Sequence, residues 1–108
     1  MKILIGKEVK TLTDLEIEVM IGKKIGSIKN GKTMNYYDRY CPKYCSSWAA
    51  IGPIIEANKI GIFFNEYASD HNLNCWEAAT CHNYEVATHK TKPLRAACEV
   101  YLMIEVAV

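Results

Sequence analysis

The sequence predicts an α+β fold: a small antiparallel sheet of about three or four strands packed with three helices as an α-β-α sandwich. Three observations carry that expectation. The β-prone runs cluster between a helical segment near the start and another at the end, with one more helix in the middle. The closing segment "TKPLRAACEVYLMIEVAV" has the clearest helical period in the chain. With 108 residues, half of them hydrophobic, there is material for one core and one domain, residues 1–108.

The elements follow in order. "TDLE", Thr13 to Glu16, is a capping box, because Thr13 can accept from an amide three residues on while Glu16 reaches back. It opens a helix over 13–22 with Leu15, Val19 and Met20 on one side and Gly22 as the stop. "SIKNGKTMNYY" reads as a hairpin, since Asn30-Gly31 suits a type I′ turn. A loop then runs through "DRYCPKYC". Ser46 and Ser47 cap a second helix over 47–58, with Trp48, Ile51 and Ile55 on one face and a bend at Gly52-Pro53.

"IGIFFNE", 60–66, is a strand, and "ASDHNLN" a polar loop. "CWEAATCH", 75–82, is a second strand with Trp76, Ala78 and Thr80 on one face and Cys75, Glu77, Ala79 and Cys81 on the other. "NYE" turns the chain into a short return strand, "VATHK". Pro93 begins the last helix, where its missing donor is harmless, and Leu94, Ala97, Cys98, Tyr101 and Leu102 form the apolar stripe.

Composition excludes several classes. No run approaches the roughly 18 apolar residues of a membrane span, and "MKILIGKEVK" lacks the apolar length and cleavage site of a signal peptide. The cysteine count is five, an odd number, so reduced thiols in a bacterial cytoplasm are expected rather than a disulfide framework. Cys41 and Cys45 are spaced C-x3-C, but Cys75 and Cys81 lie about 20 Å apart along a strand, too far for one zinc ion. No metal and no cofactor are expected. His71, His82 and His89 pair with no recognisable nucleophile, and there is no P-loop or metalloprotease motif, so the chain reads as non-enzymatic.

The charge is uneven. Lys23, Lys24, Lys29, Lys32, Arg39 and Lys43 face a single Asp38, a local balance of +5 that leaves −4 for the rest of the chain. Tyr36, Tyr37, Tyr40 and Tyr44 share that stretch. Ammonium groups neutralise phosphate while rings stack on heterocycles, so this mixture suits a nucleotide. The plainer reading is a solvated hairpin whose tyrosines cover the edge of the core. Trp48 and Trp76 are likewise either stacking platforms or core anchors.

Four stretches carry a resemblance: "LTDLEIEVMIG" near the start, Tyr44-x3-Trp48-x3-Gly52-Pro53-Ile54-Ile55-Glu56, Trp76-x-Ala78, and "PLRAACEVYL" at Pro93 to Leu102. Together, over residues 10 to 104, they resemble the NinX-like small phage and prophage proteins and a related phage family described as an α-β-α sandwich domain. The resemblance implies an α/β sandwich and a phage accessory product in the host cytoplasm, with no established activity to carry over. The lysine- and tyrosine-rich segment 23–44 departs from that pattern. So does Cys45, where serine or threonine is more usual.

The resulting expectation is a non-enzymatic phage protein that captures an anionic small molecule, such as a cyclic or ADP-ribose-type nucleotide used in host defence. Arg39, Lys43 and Arg95, with Lys23 and Lys24, would hold phosphate. Tyr36, Tyr37, Tyr40, Tyr44 and Trp48 would supply rings. Arg95 adds the free amides of a helix start. The alternative is a factor that binds nucleic acid or a host defence protein. A homo-oligomer is the default assembly.

Overall fold

Thr13 and Glu16 cap one another at the start of a helix. Thr13 Oγ1 accepts from the Glu16 amide at 3.1 Å, and Glu16 Oε1 accepts from the Thr13 amide at 2.9 Å. The computed structural model describes residues 9–65, 75–80, 86–89 and 91–104. Helix α1 spans Asp14–Ile25, running a turn beyond Gly22. Gly22 lies within the helix because Ile28 packs over it: a Cβ there would come within 2.9 Å of the Ile28 side chain. The stop is Gly26, at φ +77°, a left-handed conformation that glycine adopts without a Cβ penalty. Ile17 and Ile21, one turn apart, are fully buried, while Leu15 and Met20 only flank the core.

A second helix, α2 (Met34–Tyr40), replaces the expected hairpin. Gly31 does turn the chain, at φ +79°, but Thr33 then caps the Tyr36 amide and a helix follows. One side chain explains the switch. Tyr37 is 2% exposed; its hydroxyl donates to the Lys29 carbonyl at 2.7 Å and accepts from the Lys32 amide at 3.2 Å. A helix lets this ring enter the core while its hydroxyl closes the turn behind it.

The loop after α2 is buried rather than superficial. Cys41, Tyr44 and Cys45 are almost fully covered, so their backbone needs partners. Buried Glu18 of α1 supplies one, accepting from the Cys45 amide at 3.1 Å, and burial raises its carboxyl pKa. Ser47 caps α3 (Trp48–Ala57), which continues through Pro53 with Ile51, Gly52 and Ile55 buried. Lys59, at φ +56°, turns the chain into the sheet.

The sheet has the order β1-β2-β3 and is antiparallel throughout: β1 (Ile60–Asn65), β2 (Cys75–Thr80) and β3 (Val86–His89). Ile60 opposes Thr80, Phe64 opposes Trp76, and Ala78 opposes Ala87. Ile60, Ala78, Thr80 and Ala87 are buried, as the alternation predicts. The expected Cys81, His82, "NYE" turn and His71 loop lie outside the described residues.

The last helix, α4 (Pro93–Met103), packs on all three strands and also on α1. Every residue from Arg95 to Met103 is buried, so the helix is covered all round rather than along one stripe. Among the described residues the architecture is α+β with four helices rather than three, and α4 is the layer between the sheet and α1. On the sheet's other face, Phe63 and Val86 are about half exposed. No described helix is long and apolar enough to cross a membrane.

Both ends of α4 are tied to α1, which runs parallel to it. Arg95 donates to Asp14 Oδ1 at 2.6 Å, to Glu99 Oε2 at 3.0 Å and to the Leu12 carbonyl at 2.6 Å. At the other end, Lys24 donates to the carbonyls of Tyr101 and Ile104 at 2.6 and 3.1 Å, and its ammonium lies 3.9 Å from the centre of the Tyr101 ring. A cation at open carbonyls suits a helix C-terminus. The start of α4 has no side-chain cap of its own. Instead His89 Nδ1 accepts from the amides of Thr91 and Lys92 at 3.2 and 3.1 Å.

Two outcomes follow from these ties. Arg95→Met leaves Glu99, 2% exposed, buried without its partner and should cost about 3–5 kcal/mol by urea unfolding. Arg95→Met with Glu99→Leu should recover most of that loss. His89 must be neutral at Nδ1 to accept, and burial, then nearby Lys10, hold its pKa below the ordinary imidazole value. Its contribution should be complete above pH about 6.5 and lost as pH falls below that. The stability gap between the wild type and His89→Ala, read from urea midpoints, should shrink from pH 7.5 to 5.5.

Candidate functional site

Burial and hydrogen bonding sort seven of the eight candidate residues into two groups. On α2, Tyr36 and Tyr40 are one turn apart, and Arg39 sits three residues from Tyr36 on the same side. The rings of Tyr36 and Tyr40 lie 4.7 Å apart, tilted by 45°. Lys32 places its ammonium 5.4 Å from the Tyr36 ring. Tyr40 is 61% exposed, and Arg39 is exposed beside it. Lys43 lies just beyond the helix, donating to the Asp38 carbonyl at 2.8 Å and pairing with the Asp38 carboxylate at 3.4 Å, with its side chain still about half exposed. These residues form a cationic, aromatic strip along α2 and its two flanks, with Tyr36 half-buried and Tyr40 outward.

The other group is committed to the fold. Tyr37 closes the Lys29–Lys32 turn from inside the core. Tyr44 is 3% exposed, and its hydroxyl is hydrogen-bonded to that of Ser27 at 2.9 Å. Arg95 is 7% exposed and spends its donors on Asp14, Glu99 and backbone carbonyls. Two of the accompanying lysines also have structural contacts. Lys24 caps α4, where burial lowers its pKa to about 8, and Lys23 lies 5.5 Å from the Tyr37 ring.

Trp48 stands apart from both groups. It is 61% exposed rather than a core anchor, and its indole lies over Gly52, where a Cβ would meet it at 3.0 Å. It borders two grooves. One, of about 400 Å³, is lined by Ile55, Ile60, Ile62, Trp76, Pro93 and Leu94. The other, of about 460 Å³, runs along Ala49, Gly52, Pro53 and Glu56. A third groove, of about 260 Å³, lies by Asp14, Cys45, Ser46 and Lys92. Tyr36, Arg39, Tyr40 and Lys43 line none of these three.

Among the described residues no three His, Cys, Asp or Glu side chains stand close enough to share an ion. Cys41, Cys45 and Cys98 are buried and free. A hydrogen bond with Cys45, then burial, pushes the Cys98 thiol pKa strongly up, keeping it protonated and poorly nucleophilic.

Sequence reasoning missed the apolar groove, because its walls come from α3, β1, β2 and α4. A partial signal was present in the small, apolar run "WAAIGPII", whose Gly52 lets Trp48 lie flat.

The division between the tyrosines is measurable. Tyr37→Phe removes a hydroxyl with two backbone partners and should lower stability by about 1–2 kcal/mol in urea unfolding. Tyr40→Phe should stay within about 0.5 kcal/mol of the wild type, as exposed substitutions do.

No curated protein and no solved structure matches the chain at a significant level. The family model described as bacteriophage P22, NinX, does match, over residues 8–105. That span contains all the described elements, the α2 strip among them, so the chain belongs to the NinX family of bacteriophage P22 and is a phage accessory protein.

Proposed function

We propose that this protein is a non-enzymatic accessory factor of the host cytoplasm that binds an extended polyanion, single-stranded nucleic acid, along α2. The observation that carries this reading is the exposed Tyr40 ring, set against half-buried Tyr36 and flanked by Lys32 and Arg39. A base stacked on the open face of Tyr40 leaves its phosphates within reach of the neighbouring cations, and such stacking tolerates any sequence. Lys43 extends the strip beyond the helix end.

The curvature of the site favours a polymer over a sequestered nucleotide. Capturing a small nucleotide calls for an enclosed site that buries most of the ligand, whereas one outward helix face is convex. Tyr37, Tyr44 and Arg95, which would have helped enclose it, are held by Lys29, Ser27 and Asp14. A strand of nucleic acid needs no enclosure, because it gains affinity from successive contacts along a surface. The local charge of the segment serves this role although the whole chain carries only +1.

Fluorescence anisotropy with a labelled single-stranded oligonucleotide tests the proposal. With about three phosphates neutralised, affinity should fall roughly 20-fold between 50 and 200 mM salt. Tyr40→Ala should weaken binding about fivefold or more while leaving the melting temperature unchanged. Absence of binding at 50 mM salt would sink the reading. A rise in melting temperature with a cyclic dinucleotide, but not with the oligonucleotide, would replace it with nucleotide capture.

A further inference from the structure

We propose that Cys45 and Cys98 form a redox-sensitive pair that a peroxide converts to a disulfide, joining the turn before α3 to the middle of α4. Three observations point to these two among the described thiols. The first is contact. The Cys98 thiol is hydrogen-bonded to Cys45, although the two residues lie far apart in sequence. Cys45 donates in turn to the Asp14 carbonyl at 3.8 Å, which leaves its sulfur lone pairs to accept from Cys98. Both thiols are buried and free. The sulfurs therefore meet already in the reduced protein and have only to close to a bond of about 2 Å.

The second observation is that one partner is fixed and the other is not. Cys98 lies in α4, where every residue from Arg95 to Met103 is buried. Cys45 lies on a turn in which the Ser46 and Ser47 amides donate to the Lys43 carbonyl at 3.1 and 2.8 Å. Its own amide is held by Glu18 of α1 at 3.1 Å. A turn adjusts more readily than a packed helix, so the approach falls to Cys45.

The third is access. Cys98 is fully buried and lines none of the three grooves described above. Cys45 borders the groove of about 260 Å³ beside Asp14, Ser46 and Lys92. A small oxidant entering that groove meets Cys45 first.

One molecule of hydrogen peroxide balances the chemistry. The Cys45 sulfur attacks a peroxide oxygen, the O–O bond breaks, and a Cys45 sulfenic acid and one water result. The Cys98 sulfur then attacks the Cys45 sulfur. The S–O bond breaks as the S–S bond forms, and the hydroxyl leaves with the Cys98 proton as a second water. Two electrons pass from the sulfurs to the peroxide. The hydrogen bond with Cys45 and burial keep the Cys98 thiol protonated, which bars it from the first step. The second step suits it, because its proton departs with the leaving water. The pair lies inside the fold, so this inference does not depend on the ligand of α2.

Treating the folded, full-length protein with millimolar hydrogen peroxide tests it, followed by alkylation and peptide mass spectrometry without reductant. Two of the five thiols should disappear, and one peptide pair should be joined through Cys45 and Cys98 in a chain that still migrates as a monomer. Dithiothreitol should restore both thiols. The oxidised protein should melt about 5–10 °C above the reduced one, because the bond closes a loop of roughly 50 residues in the unfolded chain. In Cys98→Ala, Cys45 should go on to sulfinic acid. A wild type in which Cys98 stays alkylatable while Cys45 reaches sulfinic acid would overturn the proposal. So would a cross-link from Cys45 to Cys41, or two thiols that both survive the peroxide. A cross-linked form that melts no higher than the reduced one also overturns it, since the fold would then be distorted to make the bond.

Discussion

Arg95 organises this fold. It sits in the first turn of α4, yet its partners, Asp14 and the carbonyl of Leu12, lie at the beginning of the chain. The same guanidinium holds Glu99 one turn further along α4. An arginine suits the position because its planar fork serves several acceptors at once and stays charged when buried. Each acceptor would be costly to bury alone. Grouped around one cation, they fix the start of α1 against the start of α4. Lys24 does the matching work at the far ends, so two parallel helices are pinned in register at both termini.

That register determines what the rest of the chain can do. With α1 on one side and the sheet on the other, α4 has no free face, and its nine consecutive buried residues leave it only a structural part. Glu18 reaches out of α1 to support the buried loop at Cys45, and this loop delivers the chain to α3. What projects outside this stack includes Tyr40 on α2 and Trp48 on α3, each 61% exposed. Along α2, Tyr37 is buried, Tyr36 is half-buried against the core and Tyr40 is exposed.

Local chemistry made much of the fold legible. The Thr13–Glu16 capping box, Ser47 as a cap, Pro93 in a first turn and the alternation around Ala78 all depend on neighbours within a few residues, and all recur in the structure. The failures have a common cause. Asn30-Gly31 specifies a turn with positive φ, which Gly31 adopts, but it cannot say whether a strand or a helix comes next. Tyr37 decides that by finding Lys29 and Lys32 from inside the core. Gly22 resembles a helix stop until Ile28 is seen lying against it.

The candidate site divides along the same line. By itself the sequence determined the α+β class, the caps, the strand faces and the concentration of cations and tyrosines before α3, because period and composition are properties of the chain. Only the tertiary structure decided which of those residues face outward. Arg95 has the same charge as Arg39, and Tyr44 the same ring as Tyr40. The difference lies in partners such as Asp14 and Ser27, distant in sequence, which satisfy a polar group so that it can be buried. Arg95 spends its donors on partners inside the protein, whereas Arg39 is exposed.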